Sequence, residues 1–246
     1  MALHALSEPE ATRPFPMSST PSVPAPTIAQ FEQVWFTEDE YLNREEVAFY
    51  KNEFHPTGQV LQDGKVVTVG TIVAMSGARP RHCVITGNVF VEMHNALKGK
   101  RCVPYGSDLM IKIPATGLRT YPDVSVICGP LESPENPQLS ATNPTVLVEV
   151  LSKSTKNYNW GKKFLNYQQL ESLREYVLVS TQEAQIECYR RQENGTWANE
   201  VVQGLEKSFR LESIEVSLAL EDVYYRVDFA AGELHPEEEE AGRANV

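Results

Sequence analysis

Three polar features stand where a sheet-forming sequence ought to be apolar: Asp123 in YPDVSVIC, Glu149 in PTVLVEVLSKST, and the Lys162-Lys163 pair in NWGKKF. Glu149 interrupts the run Val146, Leu147, Val148, Val150 and Leu151, whose composition is that of a strand buried on both faces. A lone ionised carboxylate there is costly unless it is paired, protonated or bound to a cation. Asp123 follows Pro122 at the head of a second strand-like run. If the two strands are neighbours, both carboxylates project from one sheet edge into a common cleft. Two carboxylates plus the main-chain carbonyl of Val150 make a hard, oxygen-rich donor set suited to Mg²⁺ or Mn²⁺. A lysine beside such an ion can orient a water or stabilise charge on a pentacovalent phosphorus. The chemistry this set suits is metal-assisted phosphodiester hydrolysis.

Residue types alone leave other roles open. Glu149 could form a structural ion pair, Asp123 could cap a turn after proline, and Lys163 could lie on the exposed face of an amphipathic helix. His82 and His94 are 12 residues apart with no partner at metal-ligand spacing, which reads as packing or surface. Ser152-Lys153-Ser154-Thr155 is either a phosphate-friendly loop or an N-cap. NWGKK lacks the upstream glycine and the following Ser or Thr of a P-loop.

The elements that must position these residues are legible in outline. Thr37 and Glu40 have capping-box spacing, which predicts a helix over about 38–51. Asp63-Gly64 between two strand-like runs predicts a hairpin. A second helix over 80–98 is expected, with Cys83, Gly87, Phe90, His94 and Leu97 as its stripe and Gly99 as its stop. SDLMIKI alternates as a half-buried strand, and Val124 and Val126 share one face of the next. After the Glu149 strand, Phe164, Tyr167, Leu170 and Leu173 space as a helix face; EYVLVS and AQIECYR then read as strands joined by a turn at 181–184. The sum is α+β, a mixed sheet flanked by helices.

Six of the sixteen prolines fall in residues 1–27, a stretch without periodicity that reads as a disordered leader; residues 232–246 read as an acidic disordered tail. The domain between them would span 28–231. The net charge of −11 argues against a general nucleic-acid-coating protein. With residues 1–30 and 233–246 set aside, 26 acidic residues still face 20 basic ones. No apolar stretch has membrane-spanning length, and no secretory signal pattern opens the chain, so a cytoplasmic location is expected. Cys83, Cys102, Cys128 and Cys188 lack CxxC spacing and read as free thiols rather than zinc ligands or disulfide partners.

The segments YPDVSVICGP, PTVLVEVLSKST, GKKFLNYQQLESLREYVLVS and AQIECYRR, with IVAMSGARPRHCVITGNVF and SDLMIKI upstream, resemble the Uma-type restriction-endonuclease-like family of the PD-(D/E)xK nuclease superfamily. The resemblance covers roughly residues 31–228. It implies a restriction-endonuclease-like core: a helix preceding a bent, largely antiparallel sheet with a metal site at its opening. Asp123 then matches the motif aspartate and Glu149 the motif glutamate. Leu151 stands where the motif lysine is expected, and Lys163, with Lys162 beside it, matches a lysine displaced into the following helix. Asp108 and Glu53 match further acids of the pattern, although HPTGQVLQDGKVVTVG intervenes after Glu53 and would displace it. The resemblance thus implies a Mg²⁺- or Mn²⁺-dependent DNA endonuclease leaving a 5′-phosphate, in which Asp123 and Glu149 hold the ion and Lys163 positions the water. A homodimer fits a cutter of duplex DNA. The rival is a non-catalytic nuclease fold kept for binding nucleic acid or a protein, which a buried Glu149 ion pair without an open cleft would favour.

Overall fold

The computed structural model describes residues 35–75, 77–135, 139–151 and 159–230, the first two residues of the last segment by backbone only. The Pro-rich leader, the acidic tail and the Ser152–Thr155 loop lie outside the described residues.

β1 (Phe36–Thr37) leads into α1 (Glu38–Glu45), and the capping box forms as expected: Glu40 N–H donates to Thr37 Oγ1 at 3.2 Å, and Thr37 N–H donates to Glu40 Oε2 at 2.8 Å. The helix stops at Glu45 rather than near 51. The Glu45 carboxylate instead accepts from the Asn52 N–H (3.0 Å), the Asn52 amide (2.9 Å) and the Tyr121 hydroxyl (2.9 Å), which turns the chain into a strand. Val47, Phe49 and Tyr50 point outward, so a longer helix would have no apolar face to bury.

β2 (Asn52–Gln62) and β3 (Lys65–Ala74) are the expected hairpin, with φ of +50° at Asp63 and +76° at Gly64, the left-handed pair a two-residue turn requires. The sheet they belong to runs β1-β3-β2-β6-β5-β8, with β5 (Met110–Lys112), β6 (Arg119–Thr120) and β8 (Ser140–Ala141) short.

The second sheet runs β12-β11-β10-β9-β7-β4, made of β4 (Cys102–Gly106), β7 (Val124–Cys128), β9 (Val146–Leu151), β10 (Glu175–Ser180), β11 (Gln185–Arg191) and β12 (Trp197–Gln203). Among the described residues only the β9–β10 pair in it is parallel. Every residue of β9 is buried. Val146, Val148 and Val150 enter one apolar cluster, and Leu147 and Leu151 enter the cluster on the opposite face. The first cluster is roofed by α2 (Pro80–Leu97) and by the hairpin β13 (Ser208–Leu211)–β14 (Val216–Ala219), which leads into the short α4 (Leu220–Val223).

Helix α2 has the expected span but a different inward face. Ile85, Val89, Met93 and Leu97 are buried, whereas Cys83, Gly87 and His94 are exposed. The inward stripe is set by Val124, Val148 and Val177 beneath it, which take branched and long apolar side chains rather than a glycine.

Beyond β9 a π-helical turn (Asn159–Lys163) precedes a single α-helical turn, α3 (Phe164–Tyr167). Tyr167, Leu170 and Leu173 do face the core together, but through tightening turns rather than one helix. Gln168 bonds back four residues to Phe164, while Gln169, Leu170 and Leu173 each bond back only three.

The cysteines depart from expectation as well. Cys102 and Cys128, directly opposite in the β4–β7 register, form a disulfide with Cα atoms 3.9 Å apart. Cys83 is free and exposed, and Cys188 is free and buried. Strand pairing brings together two residues 26 positions apart, which CxxC spacing does not reveal. Among the described residues no helix is long and apolar enough to cross a membrane.

Candidate active site

The β7–β9 register pairs Val124 with Val148 and Val126 with Val146, so Asp123 continues the ladder opposite Glu149, on the face away from the valines. Directly opposed residues have Cβ atoms about 5 Å apart. Asp123 Oδ2 accepts the Val150 N–H at 2.7 Å, which locks the aspartate against the strand that carries Glu149.

Glu149 is 4% exposed. Its Oε1 accepts from Lys163 Nζ at 3.1 Å and from the Tyr167 hydroxyl at 2.9 Å. Lys163, the last residue of the π-helical turn, also reaches Glu53 Oε1 at 3.0 Å. Glu53 lies on β2, takes the Thr120 hydroxyl on Oε1 and contacts His55 Nε2 through Oε2 at 3.0 Å. The site therefore forms where the two sheets meet, with one ammonium shared between two buried carboxylates.

Charge and burial compete throughout this cluster. Burial pushes the Glu149 carboxyl up, and Lys163 and the Tyr167 hydroxyl only partly offset that while Asp123 adds to it. For Lys163 burial favours the neutral amine, but Glu149 and Glu53 outweigh it and hold the ammonium charged. For Glu53 burial is overcome by His55, Lys163 and Thr120, and the carboxyl falls to about 2.

His82, which the sequence pattern assigns to packing or surface, joins the cluster. It lies in the first turn of α2, and its Nε2 is 3.3 Å from Asp123 Oδ2. Burial lowers the imidazole, but the hydrogen bond and charge of Asp123, the charge of Glu149 and the Val150 carbonyl raise it overall. The signal that could have found it is the phase of the helix. A stripe drawn through Ile85, Val89 and Met93 carries back to 82 on the inward side, whereas the stripe through Cys83 does not.

The structure thus brings Asp123, Glu149, Lys163 and the Val150 backbone together and adds Glu53 and His82. The insertion after Glu53 does not displace it, because the extra residues run outward as the far half of the β2–β3 hairpin. Asp108 is not in the cluster: its side chain is 98% exposed and pairs with Lys51 at 3.2 Å. Lys162 faces solvent on the outer side of its turn.

Among the described residues no three His, Cys, Asp or Glu side chains already converge as a metal cage. The donor chemistry nevertheless fits a divalent cation. Asp123 and Glu149 present hard oxygens from one face of adjacent strands, the Val150 carbonyl lies within hydrogen-bonding reach of the His82 ring beside them, and the Lys163 ammonium and the His82 ring contact the two carboxylates.

Comparison with known proteins agrees with this geometry at the level of family and fold. The model of the Uma2 family, described as "Putative restriction endonuclease", matches residues 67–221, a span that contains His82, Asp123, Glu149 and Lys163. An uncharacterized protein of Synechocystis sp. is 34% identical over 212 residues, covering 85% of this chain and 97% of its own length. A second from the same organism is 29% identical over 161 residues, covering 65% of this chain and 84% of its own. The crystal structure of "a putative nuclease belonging to DUF820" from Anabaena variabilis superposes with a TM-score of 0.55 at 19% identity, over 77% of this chain and 97% of that one.

Proposed function

This chain belongs to the Uma2 family, and from that premise we propose that it is a divalent-metal-dependent DNA endonuclease whose active site is built on Asp123, Glu149 and Lys163. The observation that carries the reading is the pairing of Asp123 and Glu149 across adjacent strands with Lys163 Nζ 3.1 Å from Glu149. Asp123, Glu149 and the Val150 carbonyl would hold Mg²⁺ or Mn²⁺, which when bound supplies positive charge at the scissile phosphate and an acidified water. Lys163 is held charged next to those donors. There it orients the attacking water and stabilises the negative charge that develops on phosphorus. Glu53 keeps the ammonium in place from the opposite side, and Tyr167 fixes the Glu149 rotamer. DNA as substrate, cytoplasmic residence and a homodimer that presents two such sites to a duplex belong to the same proposal.

A second reading has an observation in its favour. Lys163 and His82 already bond to Glu149 and Asp123, as in a structural polar cluster retained by a non-catalytic binding protein. Nicking of supercoiled plasmid at low salt with Mn²⁺ separates the two. The enzyme reading expects cleavage by the wild type and its loss in Glu149→Gln and Asp123→Asn with the fold intact. Equal cleavage by wild type and variants would refute the assignment, and no cleavage by any of them, together with no Mn²⁺ binding, would favour the binding protein.

A further inference from the structure

Helix α2 is oriented so that its first turn ends over the tip of β9. Arg81 donates to the Thr181 carbonyl at 3.2 Å and to the Asp228 carbonyl at 2.8 Å, and Thr181 Oγ1 in turn donates to the Leu151 carbonyl at 2.8 Å. This chain of bonds ties the start of the helix to the end of the strand bearing Glu149. His82, the next residue, is thereby aimed at Asp123. Its second ring nitrogen, Nδ1, is 3.4 Å from Thr86 Oγ1 one turn along the helix. A ring held at both nitrogens is oriented rather than merely packed. A hydroxyl on Nδ1 is also the kind of outer partner that leaves Nε2 as the coordinating nitrogen of a metal-bound histidine.

The spacing suits a shared ion. Two neighbouring ligands of an octahedral cation with bonds of about 2.1 Å stand about 3 Å apart. His82 Nε2 and Asp123 Oδ2, at 3.3 Å, are within a few tenths of an ångström of that separation. The His82–Asp123 end of the cluster is also more open than its centre. Their side chains are 18% and 17% exposed, against 5% and 6% for Glu149 and Lys163, so an ion can reach them from solvent.

We propose that His82 is a protein ligand of the metal, supplying an imidazole nitrogen beside the oxygens of Asp123, Glu149 and Val150. An all-oxygen set suits Mg²⁺, whereas an imidazole donor shifts preference toward Mn²⁺ and later first-row ions. The site accordingly holds Mn²⁺ more tightly than Mg²⁺, and the proposal rests on the reading of Asp123 and Glu149 as metal donors.

The test is Mn²⁺ binding to the full chain, read by pulsed electron paramagnetic resonance and by calorimetry, with no activity measurement needed. The expected result is a nitrogen hyperfine coupling on bound Mn²⁺ that vanishes in His82→Gln, with Mn²⁺ affinity down about ten-fold or more and Mg²⁺ affinity little changed. Thr86→Val, which leaves the imidazole in place, keeps the nitrogen coupling while weakening Mn²⁺ less, and it serves should His82→Gln fail to fold. Mn²⁺ bound in a Glu149-dependent way, with no nitrogen coupling and equal affinity in His82→Gln, overturns the role of His82 alone. No Mn²⁺ binding that depends on Asp123 or Glu149 overturns the metal site and the His82 proposal together.

Discussion

Replacing Lys163 by methionine isolates the central electrostatic claim, because it removes one ammonium from between two buried carboxylates while retaining an unbranched apolar stem. Lys163 Nζ lies 3.0 Å from Glu53 and 3.1 Å from Glu149, and the two acids are 5% and 4% exposed. Stranding a buried charge by deleting its partner costs about 3–5 kcal/mol. Proton uptake sets a ceiling: protonating a glutamate of ordinary pKa costs about 4 kcal/mol at pH 7 and about 1 kcal/mol at pH 5. Burial already pushes Glu149 up, so it is the group that takes the proton. A carboxyl raised in the fold binds its proton more tightly there than in the unfolded chain, so its contribution is most favourable at low pH and is lost as pH rises. Because Glu149 is already raised in the wild type, part of that proton cost is present there too, so metal-free Lys163→Met should lose at most about 3–4 kcal/mol at pH 7, and less at pH 5, where Glu149 carries its proton with or without the lysine. For a domain of this size the neutral-pH limit is a drop in Tm of roughly 6–16 °C. Urea denaturation of wild type, Lys163→Met and Lys163→Met/Glu149→Gln at both pH values reads this directly, and the double variant should recover most of the loss. A Lys163→Met loss below about 1 kcal/mol at pH 7, or the same loss at both pH values, would refute the shared-ammonium account.

Two further outcomes can be checked on the same material. Glu53 titrates near 2 in the fold, so relative to an ordinary glutamate it contributes about 3 kcal/mol at neutral pH, lost as pH falls from about 5 toward 2; Glu53→Gln should flatten the acid limb of the stability curve over that window. The Cys102–Cys128 bridge predicts that thiol titration of unreduced, denatured protein finds two of the four cysteines, Cys83 and Cys188, and that reduction lowers stability by about 3 kcal/mol for a loop of 26 residues, whereas four titratable thiols would mean that no bridge forms.

What the sequence disclosed is what short-range chemistry writes into it. Thr37 with Glu40 and Asp63 with Gly64 satisfy their partners within a few residues, so the cap and the hairpin are readable. Glu149 is readable for the opposite reason, as a charge that no neighbour in its own strand can explain. The rest depends on tertiary partners. The shared register of Asp123 and Glu149 is fixed by pairing between β7 and β9. The Cys102–Cys128 bridge is fixed by β4 against β7, and the inward face of α2 by the valines beneath it. The strands β12, β13 and β14 are not among the elements the sequence pattern predicts. In β12 the residues alternate little, with most of them exposed, so the strand owes its place to pairing with β11 rather than to a buried face.

The division of labour within the cluster follows from which elements carry which charge. Asp123 and Glu149 stand on or beside paired strands whose register fixes them to one face, and Glu53 is fixed in the same way by β2 pairing with β3. Their partners come from elsewhere: Lys163 from the end of a π-helical turn, His82 from the first turn of a helix. Three carboxylates gathered on rigid strands would repel one another and oppose folding unless positive charge arrived with them. Lys163 supplies it, and His82 adds a polar contact to Asp123, so the fold can close before any ion is present. Turns and helix ends adjust at lower cost than a register, because shifting a strand moves every side chain it carries. In the proposed enzyme a divalent cation would meet oxygens already fixed by register, with His82 exchanging its bond to Asp123 for the ion and Lys163 remaining charged beside them, and π-helical geometry at Lys163 is a common mark of a functional position.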